Sequence, residues 1–146
     1  HLPSSIDRTA GFREVFPDAL ILEGNYSEES GYALSLQMLE TSSEITAVFA
    51  GNDKMAFGAV AAFKANGLDI PGDLSIIGFD DIDFASRITP PLTTIRQPAT
   101  QMGRIAAQTI LSIIIDNEAG SSTVLPVELL ERSSTSKPST FRKGNA

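Results

Sequence analysis

Three glycines at even spacing are each followed, within three residues, by side chains that can bind a small ligand. Gly24, Gly51 and Gly78 each close a short apolar run. Amides and carboxylates form hydrogen bonds with ligand hydroxyl groups, and an aromatic ring offers a flat surface for stacking. The candidate ligand-binding side chains are therefore Asn25, Tyr26, Asn52, Asp53, Asp80 and Asp81.

The apolar runs before these glycines are typical of buried strands. Residues 19–22, 47–50 and 74–77 are rich in branched apolar side chains, and their spacing leaves room for a helix between successive strands. Such βα units form a parallel sheet whose strand carboxyl ends share one edge, and ligands bind there at a switch point in strand order. We therefore predict that the side chains after the three glycines converge on one crevice, in the pairs Asn25/Tyr26, Asn52/Asp53 and Asp80/Asp81. The alternative is that these glycine and Asx residues only mark turns.

The composition excludes several classes of site. With 146 residues the chain is long enough for one domain with a real core. It has no cysteine, and its one histidine is His1, so neither a thiolate metal site nor a Ser-His-Asp triad can be built. The net charge of −7 opposes binding to a phosphate backbone. Since no apolar run approaches the length of a membrane span, we expect no membrane association.

Capping residues and apolar periodicity predict four helices. In the third, both Asn52 and Asp53 can cap the amino end, and we assign the cap to Asp53 so that Asn52 is left for a ligand. The third and fourth helices are too apolar for a single buried face, so both should be covered on more than one side. Ser27 is expected to cap the second helix, and Asn66 and Gly67 are expected to end the third. The expected bounds are Ser4 or Ser5 to Phe16, 27–41, 52–66 and 99–116.

Two further strands and a tail complete the prediction. Residues 92–95 are expected to form a short strand that ends before Pro98, and residues 124–130 a strand placed at a sheet edge by Pro126. From Ser133 the Ser/Thr/Lys/Pro-rich sequence is typical of a disordered tail.

The acidic cluster at residues 80–83 is the best candidate for catalysis. Carboxylates at a strand end can hold magnesium or accept a phosphoryl group, but Phe84 and Ala85 stand where a calcium loop needs ligands and a glycine. The sequence has no phosphate-binding glycine loop and no G-x-S-x-G motif. We therefore favour a solvated loop over a metal or phospho-acceptor site, and we expect no cofactor and no metal.

Three long segments resemble the signature segments of the lactose-repressor/galactose-repressor family of bacterial transcription regulators. They are residues 46–59, 67–82 and 90–98, and the resemblance extends from Arg8 to Thr135. It implies an α/β fold, a Rossmann-like parallel sheet with helices on both faces, as in a subdomain of a type I periplasmic-binding-protein-like domain. Residues 1–132 would be its C-terminal portion, with a core at 1–97, a helix at 98–124 that packs on an absent N-terminal subdomain, and a flexible tail at 133–146.

The resemblance also implies a function and a set of contacts. The chain would be a non-enzymatic, cytoplasmic, homodimeric effector domain that binds a sugar or related metabolite and controls operator DNA through an absent helix-turn-helix. A periplasmic sugar receptor is the alternative. Because the third and fourth helices would lack part of their cover, we expect the chain to self-associate. By motif, the effector contacts are Arg8, Tyr26, Asn52 and Asp80, and the dimer contacts are Phe57 and Ile88.

Overall fold

The computed structural model describes residues 3–42, 44–116, 119–120 and 122–138. Residues 139–146 of the predicted tail, and residues 117, 118 and 121 after the fourth helix, lie outside this part. The elements are α1 (Pro3–Val15), α2 (Glu28–Thr41), β1 (Ala47–Phe49), α3 (Asp53–Ala65), β2 (Ser75–Asp80), a 3-10 helix (Asp83–Ser86), β3 (Thr93–Arg96), α4 (Ala99–Leu111), a π-helical turn (Ser112–Asp116) and β4 (Glu128–Leu130).

Four strands form one sheet in the order β1-β2-β3-β4. The first three are parallel, with Phe49 opposite Ile77 and Asp80 opposite Arg96. β4 runs antiparallel to β3 at the edge. The predicted α/β fold is confirmed, and so is the predicted edge strand, although it covers only Glu128–Leu130 of the expected residues 124–130. Because β1, β2 and β3 are parallel, their carboxyl ends lie at one edge of the sheet, which we call the strand-end edge.

The predicted strand at residues 19–22 is wrong, since these residues pair with no neighbour in the described sheet. Leu20 is 48% and Ile21 37% exposed, so this run is not buried as a central strand would be. The composition of this apolar run therefore specified neither its burial nor a pairing partner. In addition, the order of the described strands never reverses, so the edge contains no switch point of the kind assumed from the sequence.

The helix amino ends show how local sequence sets these elements. Ser27 caps α2 by accepting a hydrogen bond from the Ser30 N–H (3.0 Å), as predicted. α1 begins at Pro3, a residue type suited to the first helical position, so the predicted caps Ser4 and Ser5 lie inside the helix. For α3 the cap is Asn52, which corrects the assignment of this role to Asp53.

The core lies between α3 and one face of the sheet. Phe63, Ile76 and Leu92 are fully buried there, and α2 packs against α3 and contributes Met38 and Leu39 to the margin of this core. α3 is therefore covered within one chain, and the expectation that part of its cover would be missing is wrong. Across the sheet, the α1 residue Phe12 stacks on Phe49 with ring centroids 5.7 Å apart. Helices thus contact both faces of the sheet, as predicted.

None of the residues of α4 is buried. Its carboxyl end and the π-helical turn expose large apolar side chains, among them Ile114 at 72% and Ile115 at 71%. For this helix, the expectation of incomplete cover is confirmed within the described residues. None of the helices in the described part of the chain has the length and apolar character needed to cross a bilayer.

The predicted disorder after Arg132 is wrong for residues 133–138. Ser134 is fully buried, donates a hydrogen bond to the Ile76 carbonyl (2.6 Å) and accepts one from the Thr93 N–H (2.8 Å). Its carbonyl accepts a bond from the Ile76 N–H (2.8 Å). Small hydroxyl side chains that are typical of disorder can equally satisfy buried backbone groups between two strands, and they do so here beside β2 and β3.

Candidate functional site

Three of the four predicted effector contacts meet around Gly51, directly after β1. The Arg8 guanidinium donates a hydrogen bond to the Gly51 carbonyl, and its carbon lies 3.8 Å from the centroid of the Phe79 ring. The Tyr26 ring lies beside Gly51, and the Asn52 amide donates to the Tyr26 carbonyl (3.0 Å). α1, the loop before α2 and the end of β1 are thereby brought to the strand-end edge.

Asn52 has both parts of its amide engaged. Its oxygen accepts the Met55 N–H (2.9 Å) as the α3 cap, while its nitrogen holds Tyr26. Tyr26 adopts a positive φ of 67°, a conformation that a non-glycine residue rarely keeps without support. Asn52 therefore positions Tyr26 as well as standing at the edge, and its own contact with an effector stays a prediction.

Asp80 ends β2 and lies at the same edge. Its carboxylate accepts a hydrogen bond from the side-chain nitrogen of Gln97 (2.7 Å). Gln97 is the residue that directly follows β3. Asp80 and Asp81 both have positive φ, 121° and 58°, so the chain turns sharply as it leaves β2. The structure thus places a half-buried carboxylate beside an amide at the ends of two adjacent parallel strands, where both can reach a ligand hydroxyl.

The neighbouring Asp81 faces away from this pair, towards two arginines. Arg96 Nε donates to Asp81 Oδ2 (2.8 Å) and Arg132 Nη2 to Oδ1 (2.5 Å). Partial burial opposes ionisation of Asp81, but the hydrogen bonds from Arg132 and Arg96 outweigh it, so its pKa is lowered. Asp81 therefore ties the end of β2 to β3 and to the segment that follows β4.

This lowered pKa gives a pH-dependent contribution to stability. A carboxylate with a depressed pKa stabilises the fold above its unfolded value, near 3.8, and loses that effect as the pH falls through its folded value. We expect Asp81→Asn to lower the free energy of unfolding by about 2 kcal/mol at pH 7. Urea unfolding of the wild type and of Asp81→Asn from pH 7 to pH 2 should show that the difference in their free energies of unfolding becomes smaller below about pH 4.

The control for Asp81→Asn is Asp83→Asn, which removes an exposed carboxylate from the same loop. It should change stability by less than about 0.5 kcal/mol at every pH. A difference between wild type and Asp81→Asn that stayed constant down to pH 2 would contradict the assignment to the ion pairs.

Asp53, a helix cap in the sequence prediction, is instead a buried cross-link. Thr94 Oγ1 donates to its Oδ1 (2.5 Å) and the Ile82 N–H to its Oδ2 (2.9 Å). Burial raises the pKa of Asp53, the nearby Asp80 charge adds to the increase, and the two hydrogen bonds act in the opposite direction.

The sequence prediction missed several residues of this site: Asp53 in its buried role, Phe79, Gln97 and Arg132. Gln97 could have been found, because it follows a predicted parallel strand and the same edge rule applies to it. Among the described residues, no group of three or more His, Cys, Asp and Glu side chains could hold a metal ion. The acidic loop instead has Asp80 bound to Gln97 and Asp81 bound to two arginines.

A depression of about 280 Å³ lies where α2 crosses α3. Its lining residues are Glu28, Glu29, Tyr32, Gly58 and Ala61. None of the four predicted effector contacts is among them.

Comparison with known proteins agrees with this arrangement. Residues 2–135 match the model of the periplasmic binding protein-like domain. The chain belongs to this family. It is 38% identical over 117 residues to the HTH-type transcriptional regulator MalR of Clostridium butyricum, an alignment that covers 80% of this chain and 35% of MalR.

The fold of this chain is similar to that of two solved structures of transcriptional regulators. A LacI family transcriptional regulator from Enterococcus faecalis with bound ribose matches with a TM-score of 0.84 and 38% identity, over 92% of this chain and 51% of that one. The Lac repressor dimer bound to operator and an anti-inducer matches with a TM-score of 0.78 and 32% identity, over 88% and 46%. The resemblance to this group of repressors is confirmed, and the chain spans 31–40% of three curated relatives it matches.

Proposed function

We propose that the chain is the effector-sensing part of a bacterial transcriptional regulator. It binds a small molecule at the strand-end edge and controls DNA binding by a helix-turn-helix domain outside this chain. The observation that carries the proposal is the convergence of Arg8, Tyr26 and Asn52 around Gly51, with Asp80 at the end of the adjacent strand. The relatives named as HTH-type regulators favour this role, in the cytoplasm, over a periplasmic receptor.

The proposed effector is a monosaccharide such as ribose. Asp80 and Gln97 supply acceptors and donors for sugar hydroxyls, Arg8 a charged donor, and the Tyr26 ring a stacking surface. Ribose bound to two LacI family regulators, 38% and 34% identical to this chain, supports this choice. No catalytic step is proposed, because the acidic loop uses the Asp81 carboxylate for ion pairs with Arg96 and Arg132.

Replacing Asp80 tests the site. In the regulator together with its DNA-binding domain, Asp80→Ala should weaken ribose binding by about 1.5–3 kcal/mol, the usual scale for hydrogen bonds to a charged group. Calorimetric titration with ribose measures the effect, and DNA binding without ribose should be retained. Asp83→Ala, in the same loop, is the matched control. Asp81→Ala should affect ribose binding much less, since its carboxylate faces Arg96 and Arg132. Unchanged affinity in Asp80→Ala would remove Asp80 from the site.

We also propose that copies of this chain associate through apolar surface. Phe84 adds exposed apolar surface beside the predicted dimer contacts Phe57 and Ile88. It is 56% exposed and packs edge-on against Phe57, with ring centroids 5.4 Å apart. Phe57 itself is 8% exposed, so Phe84 and Ile88 offer the accessible surface. α4 and its π-helical turn form a second apolar surface, which in the complete regulator packs on the N-terminal subdomain.

Light scattering coupled to size exclusion distinguishes the two surfaces. We expect this chain to elute with a mass above the 15.5 kDa of one copy, because exposed apolar patches drive association. Ile114→Glu places a charge on the α4 surface and Phe84→Glu places one on the other surface. The variant that restores the monomer identifies the surface in use. A wild-type monomer at high concentration would contradict the proposal.

A further inference from the structure

The turn that carries Asp80 has an unusual backbone. Asp80 and Asp81 are consecutive non-glycine residues with positive φ, 121° and 58°. Each such conformation costs on the order of 1–3 kcal/mol and persists when the surrounding structure holds it. Gln97 holds the Asp80 side chain, and Arg96 and Arg132 hold that of Asp81. The backbone of the turn needs a support of its own.

Asp53 provides this support from the first turn of α3. It is fully buried, and its Oδ2 accepts the N–H of Ile82, the residue directly after the Asp80–Asp81 pair. Its Oδ1 is bound by the hydroxyl of Thr94 on β3 (2.5 Å). One carboxylate therefore joins the start of α3, the middle of β3 and the backbone of the turn. Its place at a helix amino end favours the negative charge and opposes the burial that raises its pKa.

Gly78 on β2 makes room for this cross-link. A Cβ at this position would overlap Asp53 Oδ1 and press on the side chains of Leu92 and Thr94. The strand thus carries no side chain where the carboxylate passes, two residues before Asp80. The two hydrogen bonds of Asp53 have different consequences, which makes them separable by mutation. The bond from Thr94 joins α3 to the sheet, and the bond from Ile82 holds the backbone of the turn.

We propose that Asp53 is a positioning residue for effector binding. By holding the Ile82 N–H it fixes the course of the turn, and so it directs the Asp80 carboxylate towards the effector without touching the effector. This inference rests on the proposed function. It predicts that loss of the Ile82 bond weakens ribose binding through Asp80, whereas loss of the Thr94 bond lowers stability alone.

Three substitutions in the complete regulator separate these effects. Asp53→Ala removes both bonds and should weaken ribose binding about tenfold or more. Thr94→Val keeps the shape and the Ile82 bond. Asp53→Asn keeps an acceptor for the Ile82 N–H, because the Thr94 hydroxyl can accept from the new amide. Thr94→Val and Asp53→Asn should both bind ribose with an affinity within about threefold of wild type. Their thermal unfolding should occur at a lower temperature than that of the wild type. If Asp53→Ala does not fold, Asp53→Ser, whose hydroxyl is too short to bridge both partners, takes its place.

A double-mutant cycle tests whether Asp53 acts through Asp80. Adding Asp53→Ala to Asp80→Ala should weaken ribose binding less than about twofold further, because the group that Asp53 directs is gone. Fully additive losses would overturn the inference. So would an equal loss of affinity in Thr94→Val and Asp53→Ala, or no loss in Asp53→Ala.

Amide hydrogen exchange distinguishes failure of this inference from failure of the proposed function. If the wild type does not bind ribose, the proposed effector is wrong, but the Ile82 N–H still reports on the turn. Its protection should be lost in Asp53→Ala or Asp53→Ser and kept in Thr94→Val. Protection that is unchanged in all variants would show that Asp53 does not hold the turn.

Discussion

Replacing Gly58 with alanine is expected to lower the free energy of unfolding by about 3 kcal/mol, and the melting temperature by roughly 10 °C. Gly58 lies where α3 crosses α2. A Cβ there would overlap the carbonyl oxygen of Glu28 and the backbone nitrogen of Tyr32. From the other side, a Cβ at Gly31 would overlap the backbone of Met55. Backbone atoms cannot move aside as a flexible side chain can, so the two helices would have to separate.

Two other helical glycines provide matched controls. A Cβ at Gly11 in α1 or at Gly103 in α4 would meet nothing within 4 Å. Alanine at either position should raise stability by up to about 1 kcal/mol, since glycine costs that much in a helix interior. Thermal unfolding of the three variants checks the prediction. Equal effects at Gly58 and Gly11 would show that α2 and α3 are not in close backbone contact.

Local signals in the sequence predicted the elements of this fold well. Ser27 was identified as a cap, Asn66 and Gly67 as the end of α3, and residues 92–95 as a short strand, because each depends on neighbouring residues. The failures depend on distant partners. Residues 19–22 have the composition of a strand, but strand formation requires a pairing backbone, which composition does not specify.

The same distinction applies to the candidate site. Asn52 and Asp53 are both good caps, and the choice between them depended on Thr94 and Ile82, which lie far along the chain. A buried position for Asp53 requires those two donors, and the sequence alone could not place them. The strand-end rule placed Asn52 and Asp80 at one edge correctly, although the described sheet contains no switch point. Tyr26 lies beside Gly51 for a different reason, since no described strand precedes it and its carbonyl is held by Asn52.

The end of the chain gives the second large effect. Truncation after Arg132 is expected to lower the free energy of unfolding by about 4 kcal/mol or more, because the hydrogen bonds it removes include four, made by Ser133 and Ser134, that are worth about 1 kcal/mol each. Ser134 makes three of them, with Ile76 and Thr93, and the fourth runs from the Ser133 N–H to the Pro91 carbonyl (3.0 Å). Buried groups of β2 and β3 would be left unpaired, which adds to the loss.

Truncation after Pro138 is the matched control, since it keeps all four hydrogen bonds and should leave stability within about 0.5 kcal/mol of the full chain. Urea unfolding of the two truncated chains measures the difference. Ser134→Ala isolates the buried hydroxyl and should cost about 2 kcal/mol, whereas Ser136→Ala, at an exposed residue, should cost less than about 1 kcal/mol. If truncation after Arg132 were as mild as truncation after Pro138, residues 133–138 would behave as the disordered tail that their composition suggests.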